Sequence, residues 1–258
     1  MSYSSHMPHM SLFIIRCFVF ILFCLSVNSV WGSTLHTVFV GDTVNEMAGI
    51  TKPDIERWTQ ETRIIAKHAK MSLQQKVFVG RGFNKKDVSF YIQKMNLKKD
   101  DAVIFYFTGH GYRTVDMTSP FPVLTFTLYQ PGIEMEWVIT KIKNKKPRFA
   151  LVMSDCCNNY IERGFSSPNK KIQITLHPKI PDYDQYEQLF GKAKGFIAIS
   201  SCSAGQFSYG SHLGGLYTQC FFASLHRELT EECPSWRDLL RRCNGYISHI
   251  QKPIIKIY

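Results

Sequence analysis

The chain has 258 residues, 45% of them hydrophobic and 20% charged. That balance supports one domain with a sizeable core and excludes a disordered chain. Its formal net charge of +11 favours anionic partners in general, yet the basic residues are scattered. The tightest groups, Lys141 to Lys146 and Lys192 to Lys194, lack the interleaved aromatics of a nucleic-acid module, so they read as a solvated face and no nucleic-acid partner is expected.

The first 32 residues read as an address. Ser11 to Val27 is SLFIIRCFVFILFCLSV, and its uninterrupted apolar run, Cys17 to Val27, is shorter than the about 20 residues a membrane span needs. Arg16 precedes that run, and Val30-Trp31-Gly32 follows it with small residues where a signal peptidase would look for them. The expectation is a cleaved signal peptide over 1–32 and a secreted or periplasmic domain over 33–258. An uncleaved N-terminal membrane anchor is the alternative. No second apolar stretch approaches spanning length.

Beyond the address, Leu35–Val40 reads as a strand. Pro53–Lys70 reads as an amphipathic helix with Pro53 at its first position. Lys76–Val79 is a strand ended by Gly80 and Gly82, and Asn84 caps a helix running to about Asn96. Ala102–Phe107, AVIFYF, is a continuous apolar strand, as expected where both sheet faces are covered. Ile133–Lys143 reads as a helix, Phe149–Met153 and Phe196–Ser200 as buried strands, Leu216–Leu229 and Ser235–Ile250 as helices, and Ile254–Ile257 as a last strand. Strands alternating with helices predict an α/β sandwich with a mainly parallel sheet. Asn158–Lys194 carries Pro168, Pro178 and Pro181 and reads as one long irregular loop.

Six cysteines remain after the address: Cys156, Cys157, Cys202, Cys220, Cys233 and Cys243. Outside a reducing cytosol they could form disulfides, with Cys233–Cys243 the preferred bridge. No C-x-x-C pair exists, so no zinc site is expected.

In open α/β sheets, sites form at the carboxyl ends of the strands. AVIFYF ends in Thr108-Gly109-His110-Gly111, and FALVMS ends in Asp155-Cys156-Cys157-Asn158. An imidazole between glycines beside a cysteine suits nucleophilic catalysis, because the thiolate is the attacking form. The amides of Gly111 and Cys157 are candidates for an oxyanion hole. In an extended segment Asp155 and Cys157 point to one side and Cys156 to the other. That alternation assigns Cys157 as nucleophile and Cys156 as a buried structural thiol.

These residues resemble the caspase-like cysteine peptidase superfamily, in particular bacterial caspase-family proteins and metacaspases. The likeness runs from Leu35 to Gln251-Lys252-Pro253 and rests on Gly109-His110-Gly111, Asp155-Cys156-Cys157, Ser200-Ser201-Cys202-Ser203-Ala204 and Gly214-Gly215-Leu216-Tyr217-Thr218. It implies a three-layer sandwich, a His110–Cys157 dyad and a peptide or protein substrate. The Asp-x-Cys form implies cleavage after Arg or Lys, with Asp155, Asp42 and Ser201 lining the first pocket. For Asp42 the competing reading is a turn-former after a strand, and for Asp155 a helix-capping carboxylate. No cofactor is expected, although many metacaspases need calcium. Where metacaspases usually continue with His-Ser-Gly, this chain has Asn158-Asn159-Tyr160, which a left-handed backbone at asparagine would accommodate. That departure keeps a second class of function open, a catalytically inactive caspase fold acting as a binding module. If the enzyme selects basic residues, Lys170 and Lys171 in the long loop are candidate self-cleavage points.

Overall fold

The computed structural model describes residues 32–128, 130–163 and 179–258, and the fold is the unit Ser33–Tyr258. The address segment, Lys170 and Lys171 lie outside the described residues. In chain order the elements are β1 (Thr34–Gly41), α1 (Ala48–His68), β2 (Ser72–Phe78), α2 (Lys85–Lys94), β3 (Ala102–Thr108), β4 (Gly111–Tyr112), β5 (Val123–Leu124), β6 (Ile133–Glu134), α3 (Met135–Asn144), β7 (Phe149–Asp155), β8 (Gly195–Ser200), β9 (Gly210–Ser211), β10 (Gly214–Gly215), α4 (Leu216–Glu228), α5 (Trp236–Ile247) and β11 (Ile254–Ile257).

The main sheet runs β11-β8-β7-β3-β1-β2. Its strands pair in parallel except for β11, which lies antiparallel on β8. Every residue of β3 and β7 is buried, which is why both read as unbroken apolar runs. The pleat then sorts their side chains between two cores. Ile104, Tyr106, Leu151 and Met153 join the core under α1, α4 and α5. Val103, Phe105, Phe107, Ala150, Val152 and Cys156 join the core under α2 and α3. Helices on both faces of one sheet make the three-layer α/β sandwich that the alternation implied.

Local signals place several helix starts. Asn84 accepts from the Asp87 amide to cap α2, and Ser235 accepts from the Asp238 amide to cap α5. Two expectations need correction. Pro53 lies inside α1, which begins at Ala48. Thr51 is fully buried and its hydroxyl donates to the Asp42 carbonyl, so tertiary contact carries the helix back past the proline. The expected loop 158–194 is partly structured: Glu187–Gly191 is a single π turn. Tyr186, Leu189 and Phe190 are buried in the core under α1, and the Trp236 indole donates to the Leu189 carbonyl. Their spacing of three and four residues was a helical signal beneath the prolines nearby. In addition, Ile133 and Glu134 form a strand before α3 rather than its first turn.

All six cysteines of the domain are free thiols. Cys233 is exposed and Cys243 buried, so the expected bridge between them is not formed. Cys243 instead lies close to Tyr217 and Cys220.

At the centre of the α1-side core, Trp58 is fully buried against Phe39, Tyr106, Phe221 and Phe222, with ring centroids 4.8–6.0 Å away. It ties α1 to the sheet and to α4. Trp58→Ala is expected to cost about 3–5 kcal/mol, the range for an aromatic truncated in a packed core. Urea unfolding followed by circular dichroism measures this, and a loss under about 1 kcal/mol would show a plastic core.

Candidate active site

The β3–β7 register aligns Thr108 with Asp155. His110 and Cys157 therefore each lie two residues beyond a paired position, at the carboxyl end of adjacent parallel strands. Gly109 has φ of 155°, a conformation side chains resist, and it turns the chain out of β3. A Cβ on Gly111 would collide with the Cys157 carbonyl and the Cys156 thiol, so only glycine lets the two strand ends meet at backbone distance. Gly111 faces Leu124 across β4 and β5. The Thr125 amide donates to the His110 carbonyl at 3.0 Å, the pattern of a non-hydrogen-bonded pair. That register leaves the Gly111 amide out of the β4–β5 ladder, available to an oxyanion.

His110 is mostly buried, and its Nε2 lies 3.1 Å from Oε1 of the exposed Glu46, on the loop after β1. Sequence reasoning missed Glu46, because a solvent-facing glutamate in a turn has no distinguishing pattern. The strand alternation expected for the cysteines is what the structure places: Cys156 packs in the core under α2 and α3, and Cys157 is partly exposed.

Burial pushes the Cys157 pKa up to about 11; the Ser208 amide counteracts this, and the nearby Asp155 charge adds to the rise. The Ser208 amide donates to Sγ at 3.4 Å, while Sγ approaches the Ser208 carbonyl at 3.8 Å. Ser208 is a second residue that the sequence left unmarked. Its hydroxyl donates to Asp155 Oδ1 at 2.7 Å and also meets Ser201 Oγ at 2.9 Å and Gln251 Nε2 at 3.2 Å. Ser201 is fully buried and donates to the Cys156 carbonyl or shares its proton with Ser208.

Asp155 fills the capping role that the sequence allowed. Its Oδ2 accepts from the amide and hydroxyl of Thr218, at 2.9 and 2.7 Å, which caps the start of α4. Its Oδ1 faces Ser208 beside the thiol. A second buried carboxylate, Asp54 of α1, accepts from the Gly215 amide at 3.0 Å and from Tyr106 and Thr108 at 3.0 and 3.2 Å. Burial raises both carboxyl pKa values, that of Asp54 strongly, and for Asp54 the charge on Asp155 is the next cause. Asp42, expected in the same pocket, makes no hydrogen bond to Asp155, Ser201 or Ser208 among the described contacts. It follows Val40, which faces the core under α2, whereas Asp155 follows Met153, which faces α1. Its carboxylate binds the Asn45 side chain at 3.0 Å, and it lines a cleft of about 420 Å³ with Asn45, Glu46, His110, Thr125, Phe126, Thr127 and Leu128. The second carboxylate near Asp155 is thus Asp54.

Asn158 does not adopt a left-handed backbone: among described residues only Lys70 and Lys146 combine a side chain with positive φ. It works by hydrogen bonding. Its side chain donates to the Pro120 and Cys202 carbonyls and accepts from Arg113, while its amide donates to Gln206. These contacts pin the segment after Cys157 against the loop that carries Ser208.

A profile of the caspase domain matches residues 60–257. No curated protein matches the chain. A crystal structure of a structural-genomics protein from Geobacter sulfurreducens is similar in fold, with a TM-score of 0.56 at 14% identity, over 87% of this chain and 93% of that one.

The raised thiol pKa gives a direct measurement. Alkylation of Cys157 by iodoacetamide, followed by peptide mass mapping, is expected to rise with pH toward about 11, well above the roughly 8.5 of an unperturbed thiol. A midpoint at or below pH 8 would mean that the free enzyme already holds a thiolate.

Proposed function

The chain belongs to the caspase-domain family, and on that premise we propose that it is a cysteine-type endopeptidase with Cys157 as nucleophile and His110 as general base, cleaving after Arg or Lys. One observation carries the reading: His110 and Cys157 each emerge two residues past a paired position on adjacent strands, with Gly111 pressed against the Cys157 backbone.

Glu46 accepting the Nε2 proton leaves Nδ1 as the basic nitrogen of His110. Because Cys157 rests as a thiol, the proton moves to His110 as Sγ attacks the scissile carbonyl. The oxyanion forms beside the Gly111 and Cys157 amides, where preorganised N–H groups lower the barrier most. The imidazolium then protonates the leaving amine. Water, deprotonated by His110, hydrolyses the thioester and restores the thiol.

Specificity for a basic residue follows from the buried carboxylates beside the thiol. Asp155 reaches the surface through Ser208, whose hydroxyl it binds, and a guanidinium or ammonium would take over that contact. Asp54 supplies the second carboxylate behind it. Ser201 and Ser208 are the polar wall of this pocket. In the same reading the apolar run Ser11 to Val27 places the activity outside the cytoplasm.

Cys157→Ala and His110→Ala are each expected to lower hydrolysis of Arg peptides by about 1,000-fold or more, with the double variant little worse, because the pair acts as a unit. Cys156→Ser is expected to keep most activity. Equal turnover by wild type and Cys157→Ala, with the fold intact, would leave the binding-module reading in place.

Asp155→Asn is expected to lower kcat/KM for Arg peptides by about 2 kcal/mol while sparing peptides with a neutral residue at that place. The pH profile has a defined sign. Falling pH protonates Asp155 and removes the charge that selects the cation, and burial moves this loss above the ordinary carboxylate range. A preference for Asp peptides would refute the pocket assignment.

A further inference from the structure

The cleft beside His110 has no part in the pocket just described. Asp42, Glu46, His110, Thr125, Phe126 and Leu128 are among the residues that line it. It carries two formal negative charges and no Lys or Arg, in a chain whose net charge is +11. Among the described residues the Asp42 carboxylate accepts from neutral donors, the Val44 and Asn45 amides and the Asn45 side chain, and these do not cancel its charge. The apolar lining is firm: Phe126 packs on Phe83 and Phe107 at 5.0 and 5.9 Å. Leu128 is 39% exposed. Thr125 is 2% exposed, and its hydroxyl has no hydrogen-bond partner within the protein. A buried hydroxyl without a partner is costly, and a ligand that bonds to it removes that cost.

The histidine of such a dyad delivers its proton to the leaving nitrogen, so the leaving peptide must pass His110. The cleft lined by His110 and not by Cys157, Asp155 or Ser208 is the place to receive it. We propose that this cleft binds the leaving side of the substrate and selects a lysine or arginine immediately after the scissile bond. The assignment rests on the endopeptidase reading. The aliphatic stem lies along Phe126 and Leu128, as long cationic side chains cover apolar surface while their heads stay polar. The cationic head meets Asp42 and Glu46. The Thr125 hydroxyl takes a bond from the peptide backbone. The preferred cleavage site is therefore a pair of basic residues, one for each acidic site.

Quenched fluorescent peptides with Arg before the bond and Lys, Arg, Ala or Asp after it test this on the wild-type enzyme. An Arg–aminomethylcoumarin substrate, which has no residue after the bond, runs in parallel. Lys and Arg are expected to exceed Ala by roughly fivefold in kcat/KM, the scale of a partly exposed ion pair, with Asp lowest. In Asp42→Asn the Lys-to-Ala ratio is expected to fall to near one. Because the ratio is taken within one variant, any general loss cancels. Thr125→Val is expected to reduce kcat/KM for all four peptides relative to the coumarin substrate. Coumarin release with a flat wild-type ratio overturns the subsite and leaves the endopeptidase reading standing. Failure to cleave any substrate overturns both.

Discussion

Two buried carboxylates and a pair of glycines set the geometry from which the rest of the site follows. Asp54 comes from α1 and Asp155 from β7, and both converge on the Gly214-Gly215 turn that opens α4. A Cβ on either glycine would strike one of the carboxylates, so the turn has no room for a side chain. Burying two like charges together is unfavourable, and the protein offsets this with the positive end of a helix and its unpaired amides. Gly215 donates to Asp54 and Thr218 to Asp155. Tyr106 and the Thr218 hydroxyl join the two acids through a chain of hydrogen bonds. Burial, and after it the charge on Asp155, raise the Asp54 pKa well above its usual range, and burial raises that of Asp155 as well.

That arrangement reaches Cys157 through one residue. Ser208 binds Asp155 with its hydroxyl and Cys157 with its backbone, and Gln251 and Asn158 hold the loop that carries it. The surrounding burial, with the Asp155 charge adding to it, pushes the Cys157 pKa up to about 11. A thiol resists the oxidative chemistry that consumes thiolates.

Net charge and local charge point in opposite directions. The chain as a whole is strongly basic, yet acids stand beside His110 and Cys157: Asp155 near the thiol, Asp42 and Glu46 in the cleft that His110 lines. The global number says little about the ligand; the sign within a few ångströms of the dyad says more.

The sequence by itself determined what depends on neighbours along the chain. Unbroken apolar runs announced β3 and β7, because a strand covered on both faces must be apolar throughout. Asn84 and Ser235 announced helix starts, because a cap bonds an amide three residues away. Period-two alternation separated Cys156 from Cys157, because successive side chains of a strand face opposite ways. Tertiary structure alone decided what depends on residues far apart. Asp54 lies 161 residues from Gly215, Glu46 64 from His110 and Ser208 51 from Cys157, and no spacing pattern encodes such meetings. The same alternation that separates Cys156 from Cys157 also carries Asp42 to the opposite face of the sheet from Asp155, but reading it required the β1–β3–β7 register. α1 runs through Pro53 because Thr51 is anchored in the core, and Tyr186, Leu189 and Phe190 form a turn because a core is there to receive them: local propensity yields where burial across the fold contributes more.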